Sequence, residues 1–269
     1  LKCLIVNADD FGFTSDVNRG IVDAHREGIL TATTLMANGA AFDDAVALAH
    51  ANPTLDIGCH LVLIGGNSVV DPSRALPGSI PALVAALARG ELSVHAELDA
   101  QVRKILDAGL RPSHLDTHKH THLLPPVLTV VARLSRDYRI PWVRRPFDFP
   151  LQGGSVPLSR RVLSDSLSFA RGRFHRVLTA HQCRTTDHFA GFRLTGHLHT
   201  EDLVSLLGAL PEGVTEFMTH PGYCTEELQA ARTRLKQSRQ TELAVLTAPQ
   251  TRTAIAQYQI RLTNYRDLT

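Results

Sequence analysis

Four cysteines in 269 residues, none in a CxxC pair, are too few and too scattered to staple a chain of this length. Cys3, Cys59, Cys183 and Cys224 therefore read as reduced thiols, and a disulfide framework is excluded. Excess charge is missing too: 28 basic against 26 acidic residues leave +2, so no broad field draws nucleic acid or an anionic membrane. No apolar run approaches the ~20 residues that a bilayer span needs. The opening residues enter a strand directly, without the basic, apolar, small-residue pattern of a signal peptide. There is no internal repeat, heptad array or low-complexity tract. Together these absences predict a cytoplasmic protein with no membrane span and no nucleic-acid partner, while a start at Leu1 leaves room for a removed leader.

What is present is enough apolar residue, 43%, to bury a large core, and α/β barrels of about this length commonly form one domain. We expect a single domain over 1–269. Apolar, β-branched runs alternate with amphipathic stretches, the pattern of strands joined by crossover helices, so the predicted class is α/β with a parallel barrel or open sheet. Strands are expected near 3–8, 33–37, 56–63, 113–118, 141–145, 187–190, 214–219 and 258–264. Helices are expected at 15–27, 41–51, 94–108, 125–136, 200–209 and 225–247, with Gly28 and Gly109 as stop signals and Thr200-Glu201-Asp202 as a start. Two segments break the alternation, near 64–92 and 146–186, and read as substrate-covering insertions.

Four pieces carry chemistry. The run Leu4-Ile5-Val6 delivers Asn7-Ala8-Asp9-Asp10-Phe11-Gly12, two carboxylates where a buried strand runs out; a buried carboxylate is costly unless a cation or hydrogen bonds compensate it. A helix cap is the plainer alternative. His60 interrupts the apolar strand Asp56–Leu63, where a histidine bonded to a backbone carbonyl would serve as well as a ligand. His114-Leu115-Asp116-Thr117-His118-Lys119-His120-Thr121-His122 is far more specific. Four histidines and an aspartate in nine residues suit a divalent ion. In extended conformation 116, 118, 120 and 122 face one way, so that a carboxylate can bond a ligating imidazole. Finally, a late strand ends in His220-Pro221-Gly222, at the edge where catalytic groups converge in parallel α/β folds.

This motif set, in this order from residue 3 to about 265, resembles that of the YdjC-like carbohydrate deacetylases, which include chitooligosaccharide deacetylases and those associated with hopanoid biosynthesis. The resemblance implies a distorted (β/α) TIM-like barrel like that of other polysaccharide deacetylases. It also implies one divalent ion held by Asp10, His60 and His118, with Asp9 as base. Spacing alone does not choose His118 over His120 or His122. Lys119 departs from the histidine that often follows the ligand in chitooligosaccharide members, and 146–186 has no clear counterpart.

The expected activity is metal-dependent removal of the N-acetyl group from an amino sugar or glycoconjugate, releasing acetate. His220 would act as acid toward the leaving nitrogen, and Asp116 would orient a histidine. Two imidazoles favour Zn²⁺, with Mg²⁺ or another divalent ion as alternatives. For Asp9 and Asp10 to reach one centre the chain must turn there, since neighbours on a strand face opposite ways. His120 and His122 are further candidates behind the ligands. One arginine of Arg144-Arg145 is expected to meet substrate or Asp9, and Arg145 is the candidate carried forward, with Trp142 as a sugar-facing aromatic. Competing readings are a dinuclear phosphoesterase or amidohydrolase, built on His-x-His at 118–120, and a non-catalytic metal- or sugar-binding protein. A homodimer is compatible with the charged 225–247 stretch.

Overall fold

The computed structural model describes residues 1–149 and 170–268. Its spine is an eight-stranded, all-parallel sheet: β1 (Lys2–Phe11), β2 (Ala32–Leu35), β3 (Asp56–Leu61), β4 (His114–Thr117), β5 (Trp142–Val143), β6 (His188–Ala190), β7 (Gly213–Thr219) and β8 (Arg261–Leu262). The order is β5-β4-β3-β2-β1-β7-β6, with β8 beside the first residues of β1. Single parallel bridges join each edge strand to a residue just outside the other, Trp142 of β5 to Arg184 and Phe189 of β6 to Asp148. The sheet therefore curls into a distorted barrel with one weak seam.

Crossover helices cover the outside: α1 (Ser15–Glu27), α2 (Phe42–Ala51), α3 (Ile80–Ala88), α4 (Val94–Asp107), α5 (Pro125–Asp137), α6 (Arg171–Ala180), α7 (Thr200–Gly208), α8 (Glu226–Ala230), α9 (Gln237–Thr247) and α10 (Pro249–Gln257). Their boundaries follow local chemistry. Thr14 caps α1 by accepting from the Val17 N–H at 3.2 Å, Pro125 opens α5 where no donor is needed, and Val17, Ile21 and Ala24 give α1 a buried stripe at helical spacing.

Alternation along the strands separates two interiors. Leu4, Val6 and Ala8 of β1, with Cys59, Leu115 and Phe217 on neighbouring strands, pack outward against the helices. The residues between them point into the barrel. There, Ile5, Ala32, Trp142 and Tyr265 form an apolar floor, and above it come Asn7, His114 and Glu216, all fully buried. Asp9, His60 and Asp116 top the stack. A polar barrel core is costly unless its groups find partners, and here side chains bond one another: His114 bonds Asn7 at 3.0 Å, and Asn7 donates to Asp9 at 3.2 Å.

Two expectations need correction. The single helix over 225–247 is two, because Ala231 turns to an extended conformation and the Thr233 hydroxyl bonds the Leu235 N–H at 3.2 Å, offering the backbone an alternative to the helix. The last strand, expected over 258–264, shrinks to Arg261–Leu262, and α10, opened by Pro249, precedes it. The stretch 64–92, expected as an insertion, carries the helix α3, capped by Ser79. Of 146–186, α6 is helical, and residues 150–169 lie outside the described residues.

At Gly58 the barrel's interior leaves no room for a side chain. A Cβ there would meet the His114 ring at 2.5 Å, whereas one at Gly172 of α6 would meet nothing within 4 Å. Gly58→Ala should cost about 1–3 kcal/mol through overpacking, while Gly172→Ala should stabilise by roughly 0.4–1 kcal/mol. Chemical denaturation of both variants checks the contrast; equal effects would contradict the packing.

A candidate metal centre at the mouth of the barrel

Asp9 and Asp10 are neighbours, yet both carboxylates reach the same cavity because β1 bulges. Its register with β2 slips between Ala8 and Phe11, and Asp10 takes a left-handed conformation, φ 70°. For a residue other than glycine that costs on the order of 1 kcal/mol. The expected turn is thus placed at Asp10 itself, with Gly12 (φ 92°) completing it. Asn18 of α1 holds the turn by accepting from the Gly12 N–H at 2.6 Å.

Three donor atoms converge there: Oδ1 of Asp10, Nε2 of His60 and Nδ1 of His118. The edges of their triangle are 3.3, 3.2 and 3.2 Å. A tetrahedral ion at ligand distances of ~2.0–2.1 Å spaces its donors by about 3.3 Å, so the residues present fit a divalent cation. The His60 ring is aimed by Asp116, whose Oδ1 lies 2.7 Å from Nδ1 while Thr34 donates to its Oδ2 at 3.1 Å. A carboxylate on one ring nitrogen leaves the other free to ligate. Burial would lower the His60 pKa, but Asp116, Asp10 and Asp9 overcome it and push it up to about 10. Positive charge is favoured at this point, and a proton or a cation can supply it. His118 is the open corner, its side chain 25% exposed.

A second triad, Asp9, His60 and Asp116, also lies within ligating reach, but its charge is already met. The buried Arg144 guanidinium grips both oxygens of Asp9 (2.8 and 2.6 Å), Oδ2 of Asp116 (2.6 Å) and Oε1 of Glu216 (2.7 Å). Burial raises the Asp9 pKa and Arg144 more than reverses it, so Asp9 stays ionised far below the usual carboxylate range. Burial raises Glu216, and Arg144 only partly offsets that. On the opposite wall His220 brings Nε2 to 3.9 Å from Asp9 Oδ2. The His220 backbone N–H donates to Glu242 Oε2 at 2.6 Å, and that oxygen is 4.0 Å from the ring Nδ1. Burial lowers the His220 pKa, against the pull of Glu242 and Asp9.

Among the residues singled out in the sequence, Asp9, Asp10, His60, Asp116, His118 and His220 meet at this mouth. His120 and His122 do not join the triangle. The strand ends at Thr117, and Lys119 (φ 55°) and His120 (φ 52°) turn left-handed, so alternation no longer applies beyond it. His122 bonds the Thr117 hydroxyl and the Arg144 carbonyl, and burial lowers its pKa to about 3; it is a strut for Arg144. His120 packs its ring against Phe189 and Phe192. Arg145 points away, donating to the Asp187 carbonyl, and the arginine at the centre is Arg144. Trp142 lies in the barrel floor against Tyr265, 6.0 Å between ring centroids. Of the pair Arg144-Arg145, Arg144 is the one that meets Asp9, whereas Glu216, Arg239 and Glu242 are not among the residues that the sequence reading named. Glu216, a charge inside an apolar strand, was the one visible signal.

Similarity to known proteins agrees with this geometry. The family model described as YdjC-like protein matches residues 3–257. A carbohydrate deacetylase of Brevibacillus brevis is 36% identical over 98% of this chain and 99% of its own, and one of Geobacillus stearothermophilus is 34% identical over 98% and 96%. A solved structure from Enterococcus faecalis V583, provisionally described as a cellobiose-phosphate cleavage protein, superposes with a TM-score of 0.77 at 27% identity, covering 100% of this chain and 99% of that one. Among the described residues no helix is long and apolar enough to cross a membrane. With a His/Asp cluster capable of holding a divalent cation, this is a hydrolase of the metal-dependent deacetylase type, and the chain belongs to the YdjC-like family of carbohydrate deacetylases.

Proposed function

We propose that the enzyme removes the N-acetyl group from an N-acetylated amino sugar, free or within a glycoconjugate, releasing acetate and the free amine. The observation that carries this is the donor triangle of Asp10, His60 and His118 standing beside a carboxylate, Asp9, that is withheld from it. The relatives described as carbohydrate deacetylases support the sugar. Two imidazoles and one carboxylate favour a zinc-like ion over the all-oxygen surroundings magnesium prefers. Four free cysteines support a reducing, cytoplasmic setting.

When bound, such a cation supplies Lewis acidity, acidifying water and polarising a carbonyl. The protein's own groups do the rest. Asp9, fixed in direction by Arg144, accepts the proton of the attacking water. Arg144 weakens Asp9 as a base but keeps it ionised and aimed, and aim is worth more than basicity once the water is acidified. His220 faces the same space and donates to the departing nitrogen, with Glu242 stabilising the protonated ring. A dinuclear phosphoesterase would need Asp9 and Asp116 for a second ion, and Arg144 occupies both.

The direct test is acetate release from N,N′-diacetylchitobiose by protein stripped with chelator and reloaded with Zn²⁺. Asp9→Asn should abolish release while binding Zn²⁺ as the parent does; full activity in Asp9→Asn would remove it as the base. No release by the reloaded parent would reject this substrate and favour an acetylated glycolipid headgroup. His220→Ala should lower kcat by about 10²–10⁴-fold, the usual contribution of a positioned acid, with KM nearly kept. An unchanged kcat would make His220 a structural turn residue.

A further inference from the structure

Behind the donor triangle lies a second buried arginine that the reaction above leaves without a task. Arg239 stands on α9, its side chain 1% exposed, and its Nη2 donates to Oδ2 of Asp10. The other oxygen of that carboxylate, Oδ1, is the corner facing His60 and His118. The guanidinium is locked in place: Nε donates to the Leu235 carbonyl at 3.3 Å, the Phe13 ring centroid is 5.9 Å from Cζ, and the Arg239 carbonyl accepts from the Gly222 N–H at 3.2 Å.

The two arginines therefore divide the two adjacent aspartates. Arg144 takes both oxygens of Asp9, whereas Arg239 takes one oxygen of Asp10 and leaves the other. A carboxylate without such a partner can chelate with both oxygens and brings a full negative charge to a dication. One shared with a buried guanidinium ligates through a single oxygen and brings less, and the fixed positive charge behind it repels the ion through a medium of low dielectric.

We infer that Arg239 is a positioning residue that confines Asp10 to one-oxygen presentation and offsets its charge, so that the cation is held less tightly and stays more Lewis-acidic than the three donors alone would make it. This rests on Asp10, His60 and His118 being the ligands. A residue that merely packs α9 against the barrel would, when replaced, loosen the site; one with this role would tighten it.

The full-length chain, stripped of metal, is titrated with Zn²⁺ against a chromophoric chelator and separately loaded with Co²⁺ for its visible spectrum. Arg239→Met should bind Zn²⁺ about tenfold or more tightly, the scale of effect that groups behind ligands exert. Its Co²⁺ bands should weaken and shift as the second Asp10 oxygen enters, and the acid limb of its pH–activity profile should move up. Arg239→Gln, which keeps a donor for Oδ2 without the charge, should also bind Zn²⁺ more tightly but leave the Co²⁺ spectrum as in the parent; it serves as the affinity test should Arg239→Met not fold. Unchanged or weaker Zn²⁺ binding in the folded variants would overturn the inference. If the parent itself bound no Zn²⁺, the ligand assignment would fail instead, an outcome distinct from the first.

Discussion

The Arg144 guanidinium, buried among Asp9, Asp116 and Glu216, is the interaction on which the centre depends. Three carboxylates inside one barrel would repel each other and be driven to take up protons; one fixed cation in their midst favours their ionised forms. It also sets their tasks. Asp9 is ionised but withheld from the donor triangle, and Asp116 is free to aim His60 through its other oxygen. The scaffold in turn guards Arg144, with its carbonyl bonded by His122 and its N–H donating to the Leu115 carbonyl at 3.0 Å.

The barrel's layering follows from that charge. An apolar floor of Ile5, Ala32, Trp142 and Tyr265 closes the lower end, and each polar side chain above it bonds another, from His114 through Asn7 to Asp9. Such a chain fixes side-chain directions, and preorganised groups of this kind lose little on reaching the transition state. The strained backbone at Asp10 sits at the same level. Local strain, buried charge and donor convergence coincide at the C-terminal ends of the strands, where parallel barrels place their chemistry.

Much of this was legible in the sequence. Strand and helix positions follow from periodicity and capping, and the Asp-Asp, His-rich and His-Pro-Gly pieces mark the mouth of the barrel. Arg145 and Trp142 show where the reading fell short: with the register of β5 on β4, His114 opposite Trp142, residues 142 and 144 face inward together, so Trp142 and Arg145 cannot share the cavity. That register depends on a two-residue strand and has no local signal. His120 and His122 leave the face that extended spacing gives them, because the left-handed turn at Lys119 and His120 carries no glycine to announce it. Arg239 and Glu242 look like a solvated helix face until α9 is docked, since nothing local distinguishes a charge that meets water from one that meets Asp10 or His220.

In the proposed enzyme Arg144 leaves room for one divalent ion, held by Asp10, His60 and His118. Counting Zn²⁺ per chain by equilibrium dialysis and elemental analysis, for the parent and for His60→Ala and His118→Ala, tests it most directly. One ion is expected in the parent and none in either variant. Two ions in the parent, or one retained when either histidine is removed, would contradict it.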